Sequence, residues 1–147
     1  MGYSLYSLRR GAGFRSKAFG LWLWKSLGYE YQLGVAQWTN IAAVRTHLRL
    51  GVLELLDPMT SMHTKAGDTF IYRLAIPSLD TLRSLVDGHS QPATRLAKPI
   101  SPHTKWKSID DLEWWLSKKV ENSERLEIHE IRHNSDGTEI LISSSHF

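Results

Sequence analysis

The spacing of apolar residues changes along the chain, and each change marks an element. From Ser16 to Leu27 the run SKAFGLWLWKSL is apolar nearly all round. Ala18, Leu21, Trp22 and Lys25 lie on one side, Phe19, Leu23 and Leu27 lie on another, and Gly28 follows as a stop signal. This predicts a buried first helix. YEYQLGVAQW reads as a second, shorter helical piece broken by Gly34. TNIAAVRTHLRLG then opens on Thr39 or Asn40 as a cap, sets Ile41, Val44 and Leu48 at helical spacing and ends at Gly51, leaving Arg45, Thr46 and Arg49 on the outward side.

After Gly51 the period becomes that of strands. VLELLD and DTFIYRLAI flank PMTSMHTKAG, a turn-forming loop with Pro58 and Gly67, which gives a hairpin with a long tip. PSLDTLRSLVDG makes a short helix capped by Ser78. HSQPATRLAKPISPHTKWK has three prolines and four basic residues without an acid, the composition of an extended linker. SIDDLEWWLSKKVEN carries a capping box, Ser108 with Asp111, and an apolar stripe of Ile109, Leu112, Leu116 and Val120 that cannot also take both Trp114 and Trp115. RLEIHEIRH and TEILISSS flank NSDG, a strong hairpin signal.

Three helical segments followed by a strand pair are the element order of a winged helix-turn-helix. AAVRTHLRLGVLELLD resembles that superfamily's recognition helix, terminating Gly and first wing strand, and HTKAGDTFIYRL resembles its basic wing tip and returning strand. The resemblance covers about residues 16–76. It implies a winged-helix domain at 16–87 with a β-hairpin wing; with the basic arm at 1–15, the Pro-rich basic linker at 88–107 and the small helix plus hairpin element at 108–147 that composition and pattern indicate, the expected class is α+β. It also implies duplex DNA or RNA as partner, with Asn40, Arg45, Thr46 and Arg49 reading base edges, and His63, Thr64 and Lys65 with Arg9, Arg10, Arg15 and Lys17 meeting phosphates or the minor groove. The expected role is a regulator of transcription, or a replication or mobile-element accessory factor.

Charge placement agrees with an anionic partner for the first part. Residues 1–50 hold seven Lys/Arg against one acid, residues 51–100 five against five, and residues 101–147 six against nine. A chain of 147 residues, 41% of them hydrophobic, has material for one core. It has no cysteine, which removes disulfides, thiolate nucleophiles and cysteine-ligated metals. No apolar run approaches the roughly 18–20 residues that span a bilayer, so no membrane partner is expected. The expected location is intracellular and cytoplasmic, with mitochondrial import as the alternative, because the Arg-rich, acid-poor start has a transit peptide's composition.

His129–His133, HEIRH, matches the H-E-x-x-H pattern and resembles the zincin peptidases. That chemistry requires a helix, on which both imidazoles reach one Zn²⁺ while the Glu activates water. Strand-type flanks, the charged neighbours Glu127 and Arg132, and only 14 residues for a third ligand oppose it. On a strand His129 and His133 share a face and Glu130 points away. No cofactor, metal ligand or catalytic residue is therefore expected.

Two further readings compete with DNA binding. One is a non-catalytic assembly subunit of a larger protein or ribonucleoprotein complex, for which a large exposed apolar patch is the discriminator. The other is a small protein inhibitor. The 108–147 element is too short to bury a core alone, so it is expected to pack on the body or on a second copy, with Trp114 and Trp115 as contacts.

Overall fold

A computed structural model describes residues 12–57, 69–87 and 103–144. The first helix, α1, runs Ala12–Ser26, four residues earlier than its apolar pattern suggests, and ends in a turn at Gly28 with φ +95°. Strand β1, Tyr31–Gln37, follows. Helix α2, Ile41–Leu48, is capped by Asn40, whose side-chain oxygen accepts from the Ala43 amide at 3.2 Å. Strands β2, Leu53–Asp57, and β3, Thr69–Ala75, then pair antiparallel, and helix α3 spans Leu79–Asp87. The remainder is β4, Thr104–Ser108, one 3-10 turn at Ile109–Asp111, helix α4, Leu112–Asn122, and the hairpin of β5, Leu126–Asn134, with β6, Gly137–Ser143.

All six strands form one antiparallel sheet in the order β1-β3-β2-β5-β6-β4. That order is symmetric. β1, α2, β2 and β3 build one half, β4, α4, β5 and β6 build the other, and each half places its third strand between its first and second. The halves meet where β2 lies against β5, with Leu53 opposite Ile128, Glu54 opposite Glu127 and Leu55 opposite Leu126. A local twofold between Glu54 and Glu127 therefore exchanges Leu53-Glu54-Leu55 with Leu126-Glu127-Ile128. The helix caps Asn40 and Asp111 occupy equivalent places.

One sheet face carries Ala36, Leu53, Leu55, Phe70, Tyr72, Leu74, Leu126, Ile128, Ile131, Ile140 and Ile142, and these join buried residues of α1, α2, α3 and α4 in a single core. Trp38 links the halves: its ring stacks on Phe70 at 3.9 Å and meets Trp115 of α4 edge-on at 5.5 Å. Burying aromatic surface of this size on both sides of the twofold joins the two halves in one core.

The α+β class matches expectation, while the winged-helix arrangement differs in three places. YEYQLGVAQW forms β1, so α1 and α2 are not consecutive helices. The hairpin expected as a wing is interior: β3 lies between β1 and β2, and β2 between β3 and β5. The last residues of the expected linker form β4, paired with β6, and the C-terminal element continues the same sheet through β5. Residues 88–102 of that linker lie outside the described residues.

Helix α4 also departs from its expected face. Ser108 Oγ accepts from the Asp110 amide, and Asp111 caps without a side-chain bond, so the capping box is not formed. Trp115 is fully buried, whereas Leu116 and Val120 of the expected stripe are exposed, Val120 at 75%. Trp115 points into the core, where its ring meets that of Trp38, and this sets the rotation of the helix.

Candidate interaction surfaces

Helix α2 lies on the sheet through Val44 and Leu48, near β5 and β1, which turns Ala42, Arg45 and Arg49 to solvent. Arg45 is exposed with no acidic partner among the described residues. The Arg49 guanidinium lies 5.7 Å from the centre of the Phe14 ring, so the start of α1 borders the end of α2. The Thr46 hydroxyl donates to the Ala42 carbonyl at 2.9 Å, a bond within the helix. Asn40 is occupied as the cap.

Two of the expected phosphate contacts have structural work instead. Arg15 donates through Nε and an Nη to the Val86 carbonyl, at 3.1 and 2.8 Å, and so ties α1 to the end of α3. Lys17 is mostly buried, and desolvation lowers its pKa to about 8. Beside it His47 is lowered to about 4, first by burial and then by the charge of Lys17. The His47 ring lies 5.2 Å from that of Tyr72, whose hydroxyl burial raises to about 12. Arg9, Arg10, His63, Thr64 and Lys65 lie outside the described residues.

HEIRH belongs to β5, so the helix that a zinc peptidase needs is not formed. A bulge between Ile128 and Glu130 interrupts the alternation, and the two histidines do not share a face as a regular strand would have them. His129 Nε2 meets Ser143 Oγ at 2.8 Å, whereas His133 Nδ1 meets Thr138 Oγ1 at 3.1 Å. Those partners stand five residues apart on β6, a rise of roughly 17 Å, so the imidazoles cannot converge on one ion. Among the described residues no group of three or more His, Asp or Glu is placed to hold a metal.

The second sheet face carries charges already matched. Glu54 Oε2 accepts from Arg73 at 2.6 Å and has Arg125 at 3.7 Å, and Arg125 also reaches Glu127 at 3.4 Å. Arg132 pairs with Glu139 at 2.9 Å and lies over the Trp106 ring at 3.8 Å. A face whose arginines are each beside a carboxylate offers a polyanion little net attraction.

The most unusual surface is uncharged. Phe19 and Leu23 stand at successive turns of α1 on the side away from its buried residues, and Leu27, 72% exposed, follows in the turn after the helix. Trp24 and Tyr29 meet edge-on at 5.2 Å at the corner between α1 and β1, and both are exposed. Along β1 the exposed alternation continues with Tyr31, Leu33 and Val35. Sequence reasoning placed Phe19, Leu23 and Leu27 together but read their helix as buried all round. The signal lay in the number of apolar positions, more than one buried stripe can use.

Comparison with protein family models, curated proteins and solved structures returned no match. Among the described residues no helix is long and apolar enough to cross a membrane.

Proposed function

We propose that this chain is a non-catalytic assembly module whose working surface runs from α1 into β1. The observation that carries the reading is eight exposed large apolar side chains within Phe19–Val35, on a protein that has already buried a full core. The only charges from Phe19 to Gln37 are Lys25 and Glu30, and they bond to each other at 2.8 Å. Each of the eight is at least 37% exposed, and exposed apolar side chains gathered in this number mark an interaction site. Such a surface suits protein docking, in which burial of apolar area supplies the free energy.

The test is a photo-crosslinking amino acid placed singly at positions 23, 33, 45 and 118 of the full chain in living cells. Discrete protein adducts from positions 23 and 33, with none from 45 and 118, are expected. Adducts confined to position 45, or made with nucleic acid, would overturn the reading.

A second reading has its own observation: Arg45 and Arg49 share the solvent side of α2, and the start of α1 that leads back to the basic arm lies beside Arg49. Nucleic-acid binding would then use α2 and the arm, keeping the resemblance's reading helix without its free wing. A duplex mobility shift at low salt that weakens steeply with salt, and is lost in Arg45→Ala/Arg49→Ala, supports it. No shift at low salt removes it.

A further inference from the structure

The two edges of the sheet are related by the internal twofold but are guarded differently. β4 is five residues long and carries Lys105 and Lys107, the kind of charge that keeps an edge from pairing. β1 is seven residues long, Tyr-Gln-Leu-Gly-Val-Ala-Gln, with no charge and no proline. Its inner side is paired with β3 along its whole length, from Tyr31 opposite Ala75 to Gln37 opposite Thr69. Its outer side presents alternate amides and carbonyls that no strand of the described residues takes. Beside this edge Tyr31, Leu33 and Val35 are exposed on the outer sheet face, where Arg73 of β3 stands opposite Leu33 and lies over the Tyr31 ring at 4.6 Å.

We infer that the occupant of this surface is a second copy of the chain, joined by antiparallel β1–β1 pairing that extends the two sheets into one of twelve strands. The inference rests on the docking reading above and names its partner. A twofold through Gly34, the middle residue of β1, sets Leu33 against the partner strand's Val35 and the reverse, so exposed apolar side chains meet their like on one face. Such pairing is self-complementary, which an isologous dimer requires. It needs no opposite charge, in agreement with a stretch whose one cation and one anion neutralise each other. The operation also repeats one the chain performs internally, where β2 and β5 pair antiparallel about the local twofold.

The experiment is sedimentation equilibrium of the purified full chain, wild type and Leu33→Lys/Val35→Lys, with far-UV circular dichroism to check folding. Both side chains are exposed, so the substitutions leave the core intact. A dimeric mass for wild type and a monomeric mass for the folded variant are expected, with the dissociation constant raised at least a hundredfold. Because the chain lacks cysteine, Leu33→Cys/Val35→Cys supplies an independent check: oxidation links two copies quantitatively when strands pair in this register. A wild-type monomer at all concentrations, or a dimer that both variants leave untouched and unlinked, overturns the inference. In the first case, crosslinks from positions 23 and 33 to a different protein would leave the docking reading standing. Should the lysine pair unfold the chain, the cysteine pair alone decides.

Discussion

Replacing Lys17 separates the role suggested by its sequence position from the one given by its surroundings. As a phosphate contact, Lys17 would be lost from a binding surface with no effect on stability. As a mostly buried ammonium beside His47, it costs the fold the work of partial dehydration. A fall from 10.5 to about 8 corresponds, at 1.36 kcal/mol per unit, to ~3 kcal/mol. The ammonium keeps part of its hydration, which reduces the usable figure to about 1–2 kcal/mol. The sign follows from proton counts. Below pH 8 the amine is charged in both states and the full penalty applies; between about 8 and 10.5 the unfolded chain holds more protons, so stability rises with pH; above that the penalty is gone. Lys17→Met, of similar length, is therefore expected to stabilise the protein by about 1–2 kcal/mol at pH 7 and by much less at pH 10.5. Urea unfolding at the two pH values measures this, and the titration of His47 by NMR provides a second reading, since losing the adjacent cation raises its pKa. A destabilised variant, or a gain that does not depend on pH, would refute the reasoning.

Three other outcomes follow from the same core. His47 takes its proton near 4 when folded and near 6.5 when unfolded, so stability is constant above about pH 7 and falls by ~3 kcal/mol as pH drops to 4; His47→Gln should lose this slope in urea titrations, and an unchanged slope would assign it to carboxylates. A Cβ on Gly34 would come within 2.3 Å of the Tyr72 ring carbon and hydroxyl, so Gly34→Ala should cost about 1–3 kcal/mol by overpacking; adding Tyr72→Leu should make the alanine cheaper, as a thermal-melt double-mutant cycle would show. Trp115→Ala should cost about 3–5 kcal/mol and Trp114→Ala well under half of that, and equal losses in denaturant unfolding would contradict the observed rotation of α4.

Much of the architecture was legible because period and capping act locally. α1, α2, α3 and the β5–β6 hairpin can be read from apolar spacing, from Asn40 and Ser78, and from Asn-Ser-Asp-Gly between two strand-type runs. Strand β1 was not, because its pattern is inverted: the residues facing the core are Gln32, Gly34 and Ala36, while Tyr31, Leu33 and Val35 face out. Only Tyr72, arriving from β3, explains why a glycine belongs at the centre. β4 was hidden for a similar reason, since Thr-Lys-Trp-Lys-Ser following a proline-rich stretch owes its strand form to pairing with β6. The symmetry of the sheet has one local trace in the sequence, Leu-Glu-Leu in β2 and Leu-Glu-Ile in β5, while the helix positions four residues past the caps hold Val44 and Trp115. Of the basic residues, the exposure of Arg45 and Arg49 follows from helical spacing. The tie between Arg15 and Val86 spans 71 residues and is not visible in any local window.

The proposal that the α1–β1 surface, rather than α2, is where this protein works can be tested directly by hydrogen–deuterium exchange of the full chain, dilute, concentrated and with duplex DNA at low salt. Slowed exchange confined to residues 19–37 on concentration, with residues 40–49 unchanged by DNA, is the expected result. Protection of residues 40–49 by DNA, with residues 19–37 indifferent to concentration, would contradict it.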